Sequence, residues 1–540
     1  MKYSGIDDPS QWVLPKVLRE QATRQPEAPW IIGTDGESLT FGQADAEIRQ
    51  VASALSARGI HRGDRVFIFA GNSCDFIRAW LGLLSLGGVA VLLNTELRGA
   101  FLSHQLQDGD AELAIVDASL VDVVREASVS VPRLRRVLLI GGEPSARSGD
   151  SFAIERFDAW RGCIAHDGVL PQERDVACIM YTSGTSGPSK GVVMPHAHCT
   201  LYGIGAIRAA ALADDDRYYI VLPLFHANGL LMQLGATLLA GIPAILRPRF
   251  SASAWIGDIR AHGATVTSLL GVLVSFVVGQ EPAPGDRDHR LRAVLNGPNS
   301  PVFEAALRER FGVRDVLSGF GMTESNMPIW GRLGLSRPAA AGWVHDDHFE
   351  LIIADPDTDR ELPRGRTGEI LVRPKLPWCF MAGYHGMPAK TVEAWRNLWF
   401  HTGDAAIMDE DGLVTFVDRI KDSIRRRGEN IAAGEVESLL AGLPGVQEIA
   451  AYAVASDIPG GEDELMLAVV AAEGTAFTLE DFGAKAEALL PRFARPRYLK
   501  LVHELPKTAT GKVQRAVLRQ AGPHGALDRH DRVKPRQEKP

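Results

Sequence analysis

From about residue 40 the chain alternates apolar segments of strand length with amphipathic segments of helix length, and this alternation restricts the fold class before any motif is considered. Thr40-Phe-Gly-Gln43 reads as a capping box that opens a helix. Ile48, Val51, Ala52 and Leu55 then recur at i, i+3, i+4 and i+7, and Gly59 stands where that helix should stop. Arg65–Ala70 follows as a buried strand, Phe76–Leu86 as a helix and Gly88–Leu93 as another strand. Continued to about residue 330, this βαβ rhythm predicts an α/β fold, a largely parallel sheet with helices on its faces.

After residue 340 the texture changes. Phe349–Ala354, Gly368–Arg373 and Leu413–Val417 read as strands separated by Pro/Asp/Gly turns, a β-rich unit that closes the large domain. Val436, Leu439, Leu440 and Leu443 then mark an amphipathic helix, and Ile449–Val454 and Leu465–Ala471 read as strands of a small α+β unit. From Gly522 the tail is charged and poor in apolar residues, so 522–540 is expected to be disordered.

Hydrophobic content of 46% and charged content of 23% are those of a chain that can bury a large core. A net charge of −8 disfavours a nucleic-acid-binding surface. The five cysteines are scattered and lack C-x-x-C spacing, which argues against a disulfide framework or a zinc site and fits a reducing, cytoplasmic setting. The first thirty residues contain no apolar run resembling a secretion signal. Tyr218–Leu246 has no formally charged side chain and is long enough to span a bilayer. Pro223, His226, Asn228, Gln233 and Pro243 interrupt it, so core structure beside a pocket is expected, with no membrane span.

The chemistry concentrates first in Tyr181-Thr-Ser-Gly-Thr-Ser-Gly-Pro-Ser-Lys-Gly-Val192. Glycines let backbone N–H groups approach an anion, hydroxyls donate further hydrogen bonds, and Lys190 brings positive charge. This is a polyphosphate cradle by composition. It is not the Walker loop, which needs G-x-x-x-x-G-K-[ST], because Gly191 follows Lys190 and Gly187 lies only three residues before it.

Four further stretches gain meaning beside it. Gly319-Phe-Gly-Met-Thr-Glu-Ser325 offers an aromatic ring, a hydroxyl and a carboxylate, and a carboxylate can hold Mg²⁺ directly or through water. Trp399-Phe-His-Thr-Gly-Asp404 ends in an acid suited to two vicinal ribose hydroxyls. Asp418-Arg-Ile-Lys421 falls where the large domain finishes, and Pro506-Lys-Thr-Ala-Thr-Gly-Lys-Val-Gln-Arg515 is a Gly/Thr-rich loop carrying Lys512. Singly each is weak: an Asp after Thr-Gly is usually a turn residue, and Phe320 alone would most often be core. Their joint occurrence in this order carries the reading.

That order resembles the adenylate-forming superfamily of acyl-CoA synthetases, aryl-CoA ligases, peptide-synthetase adenylation domains and luciferases. The resemblance covers roughly residues 10–520. It implies a large N-terminal domain of parallel-sheet/helix subdomains plus a β-rich subdomain, and a small mobile α+β C-terminal domain. The implied boundaries are an ATP- and acid-binding domain over 1–418, a hinge at 419–421, a C-terminal domain with the catalytic lysine loop over 422–521, and the tail over 522–540.

The resemblance also implies roles. Thr182, Ser183, Thr185 and Lys190 would wrap the β- and γ-phosphates of ATP. Phe320 would lie against adenine, with Thr323 near the α-phosphate and Glu324 on Mg²⁺. Asp404 and Arg419 would hold the ribose. Lys512 would bridge the substrate carboxylate and the α-phosphate. Lys421 occupies the usual hinge position, with an exposed charge as its plain alternative. Gly428, Glu429 and Asn430 would help shape the channel for coenzyme A.

These residue types suit the chemistry. A carboxylate is a poor electrophile, so its oxygen attacks the α-phosphorus of ATP, makes a mixed anhydride and releases pyrophosphate. Two anions must meet, and cations and hydrogen-bond donors are needed around the phosphorus. The thiol of coenzyme A then displaces AMP.

Pro223-Leu-Phe-His-Ala-Asn-Gly-Leu230 bears on the branch. Amino-acid adenylation domains generally place an Asp early in this region, and Phe225-His226-Ala227 holds none. His226 reads as a wall of the acyl pocket, with a packed structural histidine as the alternative. Pro377–Tyr384 and Thr391–Trp399 resemble the crotonobetaine/carnitine-CoA ligase-like branch, a label that covers many acids. Two departures stand out. Ser189 replaces the commoner proline of the phosphate loop. Leu295-Asn-Gly-Pro-Asn-Ser300 replaces Gly-Gly-Ala-Pro, so Asn296 and Asn299 either make the acyl pocket polar or satisfy loop backbone.

The expected activity is an ATP- and Mg²⁺-dependent acid–CoA ligase acting through an acyl-adenylate on a small carboxylic acid. The alternative is adenylation followed by transfer to a carrier-protein thiol, an amine or an inorganic nucleophile. A homodimer is left open.

Overall fold

The computed structural model describes all residues except 1, 129–130, 132, 146, 148–149, 183–187, 298–300, 336, 339, 420–422, 428, 459–460, 473, 507–512 and 530–540. For 272, 418, 419, 423, 430, 432, 438 and 516 it describes the backbone only. The chain divides into two compact units. One comprises Met1–Leu97, Leu102–Thr182 and Lys190–Ile420, and the other Lys421–Pro540 with Arg98–Phe101 and Ser183–Ser189.

The expected α/β architecture is present, as two sheets rather than one. The first runs in the order Gly383–Tyr384, Lys190–Pro195, Val176–Thr182, Val89–Leu92, Arg65–Phe69, Leu113–Asp117, Arg136–Ile140 and Ala153–Arg156. Its strands from Val176–Thr182 to Ala153–Arg156 are parallel, and Lys190–Pro195 and Gly383–Tyr384 add antiparallel. The second runs Asp315–Leu317, Ala293–Gly297, Val266–Leu270, Tyr218–Ile220, Ala244–Leu246, Pro29–Gly33 and Ser38–Thr40, parallel except for the last. Strands such as Val89–Leu92 are buried along their whole length, as parallel strands covered on both faces must be. The helix Phe41–Ala57 opens on the reciprocal Thr40/Gln43 capping box, and Ile48, Val51, Ala52 and Leu55 face the core.

The β-rich part is an antiparallel seven-stranded sheet in the order Gly319–Met322, Asn326–Trp330, Gly342–Val344, Leu413–Arg419, Phe400–Met408, Thr367–Pro374 and Phe349–Ala354. The uncharged stretch Tyr218–Leu246 folds into a strand, the π-helix Asn228–Leu234, the helix Gly235–Ala240 and a second strand, nearly all buried. Among the described residues no helix is long and apolar enough to cross a membrane.

The second unit contains the ribbon Ser423–Arg426/Glu429–Ala432, the helices Ala433–Leu440, Leu479–Leu489 and Arg515–Ala521, and a four-stranded sheet. That sheet runs Val446–Val454, Glu464–Ala471, Tyr498–Leu501 and Leu527–Asp528. The last strand corrects the expectation of disorder from residue 522. Leu527–Asp528 pairs with Tyr498–Leu501, Ala526 packs on the core, and the Arg529 N–H donates to the Arg497 carbonyl at 2.8 Å. Arg529 also pairs with Glu487 at 2.7 Å. Main-chain pairing and ion pairs hold this segment, so its low apolar content misleads. Residues 530–540 lie outside the described set.

Candidate active site

The strand Val176–Thr182 and its antiparallel neighbour Lys190–Pro195 carry the two ends of the Ser/Gly/Thr loop, with Thr182 opposite Lys190. Ser183 and Thr185 fall outside the described residues. Gly383–Tyr384 pairs onto the same edge and sets Tyr384 opposite Val192. The Lys190 ammonium lies over the Tyr384 ring, 4.0 Å from its centroid. The Tyr384 hydroxyl donates to Glu324 Oε1 at 3.0 Å, and the Thr182 hydroxyl donates to the same oxygen at 3.2 Å. Burial, then the Glu324 charge, pushes the Tyr384 phenol well above its ordinary pKa, so it stays a neutral donor.

Glu324 and Thr323 sit at the tip of the hairpin formed by Gly319–Met322 and Asn326–Trp330. Gly321 allows the two arms to close: a Cβ there would meet the Asn326 carbonyl oxygen at 2.3 Å. The helix His196–Ala210, buried almost throughout, supports this hairpin. The His198 ring bonds the Thr323 carbonyl through Nε2 at 2.9 Å, and Tyr202 donates to the Met322 carbonyl at 2.7 Å. In return Asn326 Nδ2 donates to the His198 carbonyl at 2.8 Å. A carbonyl only accepts, so Nε2 carries the hydrogen, and burial holds the imidazole neutral with its pKa lowered to about 4.

Asp404 is buried in the strand Phe400–Met408, and its Cα is the register partner of Arg419, whose side chain is outside the described set. The bulged part of the same strand just before it is held by Glu369. Its Oε1 accepts the Gly403 N–H at 2.9 Å and its Oε2 accepts His401 Nδ1 at 3.1 Å. His401 Nε2 faces Asp359 at 3.6 Å, and Arg396 bonds Asp359 at 2.9 Å. The Phe320 ring stacks on Phe416 at 6.4 Å and 26°, and Phe416 pairs with Ala406 two residues beyond Asp404.

Thr182, Lys190, Thr323 and Glu324 are therefore brought together, and Phe320 reaches the Asp404 strand through Phe416. His226 is half-buried in the turn before the π-helix, with its ring 4.7 Å from that of Phe225. Asn72 pins this turn, donating to the Leu222 carbonyl at 3.0 Å and accepting the Leu224 N–H at 2.8 Å. Asn296 is buried at the end of Ala293–Gly297, and Asn299 is outside the described residues. Lys421, Gly428 and Lys512 are also outside them, as is the Asn430 side chain, while Glu429 opens the strand Glu429–Ala432. Within the second unit the Gln514 N–H donates to the Pro506 carbonyl at 2.8 Å, closing the ends of the lysine loop.

Sequence reasoning missed Tyr384, His198, Tyr202, Glu369 and Asn72 as parts of the site. Tyr384 and Glu369 lie in stretches noticed for other reasons. His198 and Tyr202 had no available signal, because a helix buried on every side shows no amphipathic period.

Two parallel-sheet lobes, a β-rich third and a separate small α+β unit make up the architecture of enzymes that activate acids as adenylates. The chain belongs to the AMP-binding enzyme family: residues 18–385 match that family's model, and residues 435–512 match the model of the AMP-binding enzyme C-terminal domain. It is 32% identical over 481 residues to the crotonobetaine/carnitine–CoA ligase of Salmonella paratyphi A, covering 88% of this chain and 92% of that protein. Among solved structures it resembles ATP-bound MatB from Rhodopseudomonas palustris, with 26% identity and a TM-score of 0.69 over 95% of this chain and 99% of that one. It shares its fold with the o-succinylbenzoate CoA synthetase of Bacillus subtilis, with 24% identity and a TM-score of 0.80 over 95% and 98%.

Proposed function

We propose that this enzyme is an ATP-dependent carboxylic acid–CoA ligase that works through an acyl-adenylate and releases AMP and pyrophosphate. The observation that carries the reading is the meeting of the phosphate-loop strand and the acidic hairpin, where Thr182 and Tyr384 converge on Glu324 beside Lys190. Membership in the AMP-binding enzyme family supports it.

In the first step Lys190 and the loop hydroxyls of Thr182, Ser183 and Thr185 bind the β- and γ-phosphates. Asp404 and Arg419 hold the ribose, and Phe320 lies on adenine. Thr323 and Lys512 stand at the α-phosphate, where Lys512 also meets the substrate carboxylate and lowers the repulsion between two anions. Glu324 and the Thr182 hydroxyl are hard oxygen donors, which suit Mg²⁺ held by one carboxylate and the substrate phosphates. When bound, the ion neutralises charge on the leaving pyrophosphate. In the second step the CoA thiol reaches the acyl carbonyl by the channel near Gly428, Glu429 and Asn430, after rotation about Lys421. His226 and Asn299 border the acid. The scattered cysteines support a cytoplasmic setting.

The test is a panel of carboxylic acids, starting with crotonobetaine and carnitine, offered with ATP and Mg²⁺ and scored by pyrophosphate release. An acid that releases pyrophosphate and is then discharged by CoA as a thioester is the expected result. An adenylate that CoA cannot discharge would move the reading to another acceptor, and no release with any acid would overturn it.

A further inference from the structure

We propose that Tyr384 is the positioning residue that holds Lys190 and Glu324 apart and aims both at the triphosphate. The inference rests on the proposed roles of Lys190 toward phosphate and Glu324 toward Mg²⁺.

One ring meets both charges. The ammonium lies over its face at 4.0 Å, and the hydroxyl donates to the carboxylate at 3.0 Å. The ring itself is fixed. Tyr384 is 7% exposed, its N–H donates to Thr391 Oγ1 at 2.9 Å, and its strand is paired to the one that begins with Lys190. A lysine and a glutamate free to meet would form an ion pair, and each would then be withdrawn from its ligand. A phenol avoids that outcome. Its π face attracts the ammonium without taking its charge, and its neutral O–H satisfies one carboxylate oxygen without neutralising it. Thr182 fills a second donor position on the same oxygen, so two hydroxyls orient the carboxylate through Oε1.

The experiment measures ATP binding by calorimetry, with EDTA and with Mg²⁺, in Tyr384→Phe, Tyr384→Leu and Glu324→Gln. Tyr384→Phe keeps the ring and loses only the hydroxyl. Its ATP affinity in EDTA should match the wild type, while the gain in affinity on adding Mg²⁺ should shrink about fivefold, the worth of one hydrogen bond. Tyr384→Leu should in addition weaken binding in EDTA about two- to fivefold, through loss of the cation–π contact. A Tyr384→Phe enzyme identical to wild type in both conditions, or one weakened equally with and without Mg²⁺, overturns the proposal. Glu324→Gln separates the two levels. If it keeps the full Mg²⁺ gain, the metal-side role of Glu324 is wrong. If it loses the gain and Tyr384→Phe does not, only the role of Tyr384 is wrong.

Discussion

Glu437 grips Arg515 with both carboxylate oxygens, at 2.7 and 2.8 Å. Glu437 also accepts the Ala451 N–H at 2.7 Å, and Arg515 donates from Nε to the Ala451 carbonyl at 3.1 Å. With the Gln514–Pro506 bond, the guanidinium, through Nη2 to Glu437 and Nε to Ala451, anchors the C-terminal end of the Lys512 loop. Arg515→Lys replaces a planar fork by a point charge. Acid-dependent pyrophosphate release should fall about tenfold, the effect of losing about 1.4 kcal/mol of positioning. Thioester formation from supplied acyl-adenylate should fall less, because Lys512 is proposed to act in the first half-reaction. Lys512→Ala provides the scale, with an expected loss on the order of 10²–10³ in the first half-reaction alone. Equal losses in both half-reactions would remove Lys512 from that role.

Glu369 uses one oxygen for the Gly403 N–H and the other for His401. Glu369→Gln must turn an NH₂ either toward the Gly403 N–H, which leaves that donor unmet, or toward His401, whose ring must then move its hydrogen to Nε2; the change should cost about 1–3 kcal/mol. The bulged strand segment that presents Asp404 should loosen. The expected outcome is a raised KM for ATP with little change in KM for the acid, together with a lower unfolding temperature. A raised acid KM with an unchanged ATP KM would disconnect this strand segment from the nucleotide.

His196 and His198 are fully buried, and desolvation lowers both pKa values to about 4. In the unfolded chain they titrate near 6.5. Above about pH 6.5 both states are neutral and the two residues leave stability unchanged. As pH falls from 6.5 toward 4 the unfolded state takes up protons that the folded state refuses, so stability is lost, and the loss levels off below about 4. At pH 5 it should reach roughly 2 kcal/mol per histidine. Denaturant midpoints measured from pH 7.5 to 4 should show this fall, with a shallower slope in His198→Gln. A slope unchanged by that substitution would mean that His198 is not a neutral buried imidazole.

Gly229 lies in the first turn of the π-helix after His226, and a Cβ there would meet the Pro223 carbonyl oxygen at 2.4 Å and that of Leu222 at 2.8 Å. Both are backbone atoms, so the turn must move. Gly229→Ala should destabilise by about 1–3 kcal/mol. It should raise KM for the acid more than KM for ATP if His226 borders the acyl pocket. Steady-state kinetics with both substrates varied decides this.

The elements most legible in the sequence were those with a local cause. The Thr40/Gln43 box, the i, i+3, i+4, i+7 run behind it and the strand Phe349–Ala354 need only near neighbours to be recognised. The motif residues Thr182, Lys190, Thr323 and Glu324 were legible as chemistry, and the fold gathers them. What escaped depends on distant partners. Tyr384 acquires its place from Val192 across a strand pair and from Glu324 sixty positions away. The split into two parallel sheets depends on Pro29–Gly33 lying beside Ala244–Leu246, a pairing no local pattern announces. Leu527–Asp528 was misread because composition reports burial, while an edge strand is held by its backbone.

Only eight positions separate Lys190 from His198, yet the first begins the strand leaving the phosphate loop and the second supports the hairpin that carries Glu324. Cradle and acidic tip thus share one short covalent support. Transplanting the twelve-residue signature Tyr181–Val192 into a foreign scaffold would carry over its letters without its partner; the helix His196–Ala210 and the distant hairpin Gly319–Trp330 that it supports would both have to travel with it before one half could find the other.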